Sequence, residues 1–175
     1  MNIICILGRS GSGKSTIEKA IEQLGYNRII SYTTREIRGN EQNGKDYHFV
    51  NHKQCKGLIE KDILMEYAEY NGNFYGAPKP VGSINNVIVV ERNGYLKIKE
   101  LYGSQATGVY VDVPLDVIEE RIVGRNDTSS SDIKKRSSED DRVFEHIKDE
   151  VDIIIDGTQP IAESVAEILR FVKSK

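Results

Sequence analysis

Gly8-Arg9-Ser10-Gly11-Ser12-Gly13-Lys14-Ser15 satisfies the pattern G-x-x-x-x-G-K-[ST]. It stands between an apolar run, Ile3-Ile4-Cys5-Ile6-Leu7, and a stretch with helical apolar spacing at Ile17, Ala20, Ile21 and Leu24. A buried strand, a glycine-rich loop and a helix, in that order, give the pattern its physical meaning. Glycines let successive backbone N–H groups curl around phosphate oxygens, where a Cβ would crowd the approach. The N-terminus of the following helix adds its partial positive charge. The pattern therefore predicts a nucleoside triphosphate site at Gly8, Ser10, Gly11, Ser12, Gly13, Lys14, Ser15 and Thr16. In this reading Lys14 reaches the β- and γ-phosphates and the Ser15 hydroxyl holds Mg²⁺.

Composition sets the surroundings of that site. With 175 residues, 38% of them hydrophobic and 29% charged, the chain has the material for one soluble globular domain. No apolar run approaches the roughly 18 residues of a membrane span. The start runs straight into the first strand without a positive leader region, so no signal peptide is expected. Cys5 and Cys55, the only cysteines, form no framework and fit a reducing cytoplasm. His48, His52 and His146 lack metal-ligand spacing. A net charge of −3 argues against general nucleic-acid binding, so any anion site must be a local cluster.

Further along, short β-branched runs at 87–90, 109–113 and 153–155 read as buried parallel strands, with another strand expected over 28–32. Helices are expected over 14–24, 94–101, 115–123, 131–148 and 161–172. Alternating strand and helix imply an α/β fold: a three-layer, doubly wound, mainly parallel sheet. Two stretches interrupt the alternation. Residues 33–82 are polar and aromatic, and read as an inserted α+β subdomain with strands at 48–50 and 64–70 around a helix near 53–61. Residues 124–132, bracketed by arginines, have the composition of a mobile flap. The expected division is a core of 1–32, 83–123 and 137–175, an inserted subdomain of 33–82 and a short lid of 124–136.

The insert opens with Thr33-Thr34-Arg35-Glu36-Ile37-Arg38-Gly39-Asn40-Glu41-Gln42-Asn43-Gly44-Lys45-Asp46-Tyr47-His48-Phe49. Guanidinium forks at Arg35 and Arg38, with phenols at Tyr47 and Tyr75, suit a phosphate monoester. This run resembles the acceptor signature of the guanylate kinase family, T-T-R-x-x-R-x-x-E-x-x-G-x-D-Y-x-F. Glu66-Tyr67-Ala68-Glu69-Tyr70-Asn71-Gly72-Asn73-Phe74-Tyr75-Gly76 looks like the family's E-x(7)-Y-Y-G stretch. With the phosphate loop and the arginine-bracketed flap, the resemblance covers nearly the whole chain in order.

The resemblance implies a P-loop NTPase fold with a monophosphate-binding insert, and Mg²⁺-assisted transfer of a phosphoryl group from ATP to GMP or dGMP. It places the acceptor phosphate against Arg35, Arg38, Tyr47 and Tyr75, with Glu41 orienting the arginines. It puts Ser31 and Ala77 near the base and Glu91 on the metal or ribose side. Glu66 accepts hydrogen bonds from guanine N1–H and the exocyclic amine; adenine offers no N1–H, so a carboxylate there selects guanine. Arg121, Arg125 and Arg136 match arginines that close over the triphosphate, Arg38, Arg125 and Arg136 sharing with Lys14 the task of neutralising the migrating group. The implied partners are nucleotides alone, without nucleic acid or membrane, and the implied state is a cytoplasmic monomer or homodimer.

Four departures keep other functions open. Ala77 stands where the family carries a Ser or Thr hydroxyl, Val89 replaces the first acid of an acidic-x-Asp run, the 76–87 segment is short with Pro78 and Pro80, and Asp156 takes the place of an Asn near adenine. A kinase for another nucleoside monophosphate or a phosphorylated sugar is one rival. A non-catalytic guanylate-kinase-like binding module is the other, and the intact Gly13-Lys14-Ser15 speaks against it.

Overall fold

The computed structural model describes residues 1–70, 72–82, 84–123 and 146–175. Its first sheet holds β1 (Ile3–Leu7), β2 (Asn27–Arg28), β7 (Asn86–Val89), β8 (Ala106–Asp112) and β9 (Ile153–Asp156) in the order β2-β7-β1-β8-β9. All neighbours pair in parallel. β1 lies at the centre and every one of its residues is buried, as a continuous apolar run requires when helices cover both faces.

On one face, α1 (Lys14–Gln23), α4 (Leu115–Val123) and α6 (Ile161–Ser174) pack against the sheet. Ile17, Ile21, Ile118, Val165 and Ile168 meet Ile4, Ile6, Val109 and Val111 there. On the other face, α3 (Arg92–Tyr102) and α5 (Ile147–Glu150) bring Tyr95, Ile98 and Ile147 onto Ile3, Cys5, Leu7 and Tyr110. The three-layer parallel architecture is the expected one.

A second sheet contains β3 (Tyr32–Thr33), β4 (His48–Phe49), β5 (Leu64–Tyr70) and β6 (Asn73–Pro78) in the order β4-β3-β6-β5. β3 pairs with β4 in parallel, while β6 runs antiparallel to both β3 and β5. α2 (His52–Glu60) starts on a capping box, with Asn51 and Gln54 exchanging side-chain and backbone hydrogen bonds. Met65 and Ala77 from this sheet join the apolar cluster beneath α3. The insert thus shares its base with the core.

Three local expectations need correction. The single strand over 28–32 is divided: Asn27–Arg28 pairs with β7, and Tyr32–Thr33 joins the second sheet. The apolar run spans a crossing from one sheet to the other, which its composition does not mark. β6 falls where only a motif was read, because Gly76 and Pro78 lower its strand propensity. On α1, Leu24 is exposed and Glu18 is buried, the reverse of the apolar stripe. The helix ends before Leu24, and Gly25 follows at φ +93°. The described residues between Pro78 and Asn86 form no helix, in keeping with the trimmed segment.

Candidate active site

The phosphate loop leaves the carboxyl end of β1 with Gly8, Gly11 and Gly13 at φ of 150°, 83° and 99°. A Cβ on Gly8 would lie 2.8 Å from both Ser12 Oγ and the Val111 carbonyl, so the tight turn over β8 admits no side chain. Among the described residues, Ser12 Oγ is buried without a partner, an unsatisfied polar atom inside the cradle. α1 begins without a side-chain cap and without an acid in its first turn, which leaves its N-terminal field for an anion. Lys14 Nζ donates to the carbonyls of Gly8 (2.7 Å) and Arg9 (2.8 Å), holding its ammonium within the loop. Ser10 is half-buried, and Ser15 and Thr16 are exposed at the start of α1. Arg121, on the last turns of α4, donates to the Ser12 carbonyl (3.3 Å) and the Gly157 carbonyl (2.9 Å). It therefore ties the phosphate loop to the turn after β9. That turn borders a cleft of about 440 Å³ lined by Asp112, Val113, Pro114, Ile154, Asp156 and Thr158. The Asp156 carboxylate there accepts from the Thr158 N–H and hydroxyl.

The second constellation gathers around Arg35, which is only 8% exposed although it is an arginine on a loop. Its guanidinium donates to Glu41 Oε1 (2.8 Å) and to the Glu36 carbonyl (2.6 Å). It also lies over the rings of Tyr47 (5.5 Å) and Phe49 (5.7 Å). Burial opposes the charge, but hydrogen bonds and attraction from Glu41 and Tyr75 outweigh it and raise the Arg35 pKa. The other oxygen of Glu41 accepts from the Arg38 N–H (2.9 Å), so one carboxylate fixes both arginine positions; the Arg38 side chain is exposed. Tyr47 and Tyr75 meet edge to face at 6.0 Å. Burial, then Tyr75, pushes the Tyr47 phenol up to about 12, so it stays a hydrogen-bond donor at neutral pH.

Glu66, on β5 directly opposite Ala77, points toward the first turn of α3. A Cβ on Gly94 would lie 3.0 Å from its Oε2, so glycine at 94 makes room for the carboxylate. Burial pushes Glu66 up to about 7, the Ala77 backbone hydrogen bond pulls against it, and Glu91 adds a further rise. Glu91 is exposed and forms the N-cap position of α3, while Ala77 is fully buried and Ser31 half-buried. Arg35, Glu41, Tyr47, Tyr75, Glu66 and Glu91 thus converge from separate segments. Arg125 and Arg136 lie outside the described residues, as does most of the helix expected over 131–148.

Sequence reading missed two supports. Thr33, fully buried, turns its hydroxyl oxygen to the Arg35 N–H (3.2 Å) and shapes the loop from behind. Glu18 accepts from Arg28 Nε (2.7 Å) and the Val89 N–H (3.0 Å). The only signal for Glu18 was its place one turn beyond Lys14, which a solvent-facing helix would share.

A phosphate cradle on a parallel sheet, joined to an arginine–tyrosine pocket backed by a buried carboxylate, defines a P-loop nucleoside monophosphate kinase. Residues 1–175 match the family model for guanylate kinase, and the chain belongs to that family. It is 29% identical over 182 residues to the guanylate kinase of Dechloromonas aromatica, covering 99% of this chain and 89% of that protein. Over 169 residues it is 31% identical to the guanylate kinase of Desulfitobacterium hafniense, covering 91% of this chain and 84% of that one. A crystal structure of guanylate kinase from Anaplasma phagocytophilum superposes with a TM-score of 0.76 at 22% identity, across 99% of this chain and 85% of the other, a likeness of fold.

Proposed function

We propose that this chain transfers the γ-phosphoryl group of ATP to GMP or dGMP, with donor and acceptor held by the two constellations described. The observation that carries the acceptor assignment is the convergence of Arg35, Glu41, Tyr47 and Tyr75 around one buried guanidinium, with Glu66 behind them. Arg35, Arg38 and the two phenols bind the acceptor phosphate. Glu66 reads guanine, with Ser31, Ala77 and Glu91 around base and ribose. The loop amides from Gly8 to Thr16, Lys14 and Arg121 hold the triphosphate. Arg38 neutralises charge in the transition state, and Arg125 and Arg136, which lie outside the described residues, are assigned the same task. The acceptor subdomain comprises 33–82 and the core 1–32, 83–123 and 137–175.

The exposed Ser15 hydroxyl, at the start of α1 beside Lys14, is a hard oxygen donor that fits Mg²⁺ carried in on the nucleotide. When bound, the ion offsets phosphate charge and fixes the geometry of the oxygens. The protein's own contribution is placement: Lys14 and the amides on one anion, the Arg35 pocket on the other, and exclusion of water. We further assign the protein to the cytoplasm, acting on free nucleotides as a monomer or homodimer. No described helix is long and apolar enough to cross a membrane.

ATP turnover across a panel of nucleoside and sugar monophosphates tests the assignment. Turnover confined to guanine acceptors is expected; preference for another acceptor, or tight binding without turnover, would refute it. Lys14→Ala should lower kcat by at least about 10²-fold, the scale of losing one charge-stabilising donor. A near-normal rate would remove Lys14 from its role.

A further inference from the structure

Glu18 and Arg28 form a buried ion pair for which the reaction has no direct use. Their side chains are 5% and 11% exposed, and the pair closes at 2.7 Å. Each oxygen of Glu18 has its own partner: Oε2 takes Arg28 Nε, and Oε1 takes the Val89 N–H at 3.0 Å. Burial raises the Glu18 pKa and Arg28 opposes that rise. The same guanidinium then reaches across the junction between the sheets, donating from Nη1 to the Lys45 carbonyl at 2.7 Å.

Lys45 belongs to the turn that carries the acceptor pocket. Gln42 N–H donates to Asp46 Oδ2 (2.9 Å), and Gly44 N–H donates to the Tyr47 carbonyl (2.8 Å). Glu41, which holds Arg35, enters this turn, and Tyr47, which faces Arg35, leaves it. An exposed contact between Lys19 and Asp46 at 3.8 Å runs alongside. On its other side, the Val89 N–H ends the strand leading to Glu91 and the first turn of α3. One buried carboxylate on the donor helix therefore meets the acceptor turn through Arg28 and the base-reading side through Val89. A buried ion pair adds little net stability over apolar packing, so stability alone does not account for a pair placed between these two elements.

We propose that Glu18 and Arg28 are a positioning pair that fixes the acceptor turn against the phosphate-loop helix and so sets affinity for the monophosphate. This rests on the acceptor assignment made above. GMP and ATP dissociation constants measured by calorimetry, alongside steady-state KM values, test it in Arg28→Met and in the double variant Glu18→Gln/Arg28→Met. The double variant leaves no buried charge stranded, yet still lacks the bond to Lys45. Both should weaken GMP about tenfold, the scale of one charge-assisted hydrogen bond, and leave ATP within about twofold. Arg28→Lys keeps the charge against Glu18 without the fork; it should fall between wild type and Arg28→Met, and it carries the test if the other variants do not fold. Equal weakening of both nucleotides, or unchanged GMP binding in folded variants, would reduce the pair to a structural bridge. A wild type that does not bind GMP would overturn the acceptor assignment and the pair with it. A wild type that binds GMP beside unaffected variants would overturn the pair alone.

Discussion

Glu66 has an acid–base character unlike that of an exposed glutamate, and its consequences can be measured. Its folded-state pKa of about 7 lies above the ordinary 4.5, because burial penalises the charged form. A proton bound more tightly in the folded state favours folding below the unfolded pKa, and that contribution disappears as pH rises through about 7. Guanine recognition has the opposite need, since N1–H and the exocyclic amine require an ionised acceptor. The GMP dissociation constant should therefore rise as pH falls through about 7, approaching tenfold per pH unit below it. Glu66→Gln should bind weakly and lose most of that dependence; an unchanged pH profile would dissociate Glu66 from the base. Ala77, opposite Glu66, gives its N–H to the carboxylate while its methyl joins the cluster under α3. Ala77→Ser should raise the preference for GMP over other monophosphates by about 2- to 10-fold, one hydrogen bond's worth. No change in relative kcat/KM would confine position 77 to the core.

Strands and helices differ in how openly their sequences announce them. β1, β7 and β8 were legible because a buried parallel strand must be an apolar run, and α4 because Pro114 precedes a periodic stretch. β9 was legible as a strand but not as a buried one: it lies at the sheet edge, where of its residues only Ile155 is buried and Ile154 is exposed. β6 and the divided β2–β3 stretch were not, since their identity depends on which neighbour each backbone finds. The loop arginines and phenols proposed for the acceptor pocket stood out by their side-chain chemistry and their likeness to the family signature, whereas Glu18 and Thr33 did not, their burial being set by distant partners. Asp152 shows the same limit. Just before β9, it gathers Lys99 (2.9 Å) from α3, Lys175 (2.7 Å) beyond α6, and the Gly108 N–H (2.8 Å) of β8. Burial opposes its ionisation, but hydrogen bonds from Lys175, Lys99 and Gly108 prevail and lower its pKa to about 2 from the ordinary 3.8. A depressed carboxylate stabilises the fold above its unfolded pKa and ceases to do so as pH falls through the folded value. Asp152→Asn should cost about 2 kcal/mol in urea unfolding at pH 7. The gap from wild type should shrink between about pH 4 and pH 2. A gap that stays constant over that range would show that the carboxylate charge is not what joins these elements.

A chain of net charge −3 that binds two polyanions must concentrate its cations, and they are found on separate segments: Lys14 after β1, Arg35 and Arg38 after β3, and Arg121 on α4. In the proposed assignment each nucleotide occupies one of two constellations, the phosphate loop with Arg121 or the Arg35 pocket. Joining the two ligands converts the second binding step into an intramolecular one, provided the linker can span the sites. An adenosine and a guanosine joined through their 5′ oxygens by a chain of phosphates is the probe that reads this distance. A five-phosphate linker should bind at least about 10²-fold more tightly than GMP and raise the thermal midpoint above that reached with ATP and GMP together. A two-phosphate linker, which carries fewer phosphates than ATP and GMP bring between them, should bind no better than the stronger nucleotide by itself. Affinity for the long probe should also fall steeply with added salt, since its contacts are largely ionic. Equal affinity for both linker lengths would mean that the two clusters do not act on one continuous anion. The phosphate loop and the Arg35 pocket would then be independent sites, and direct transfer between their ligands would lose its structural basis.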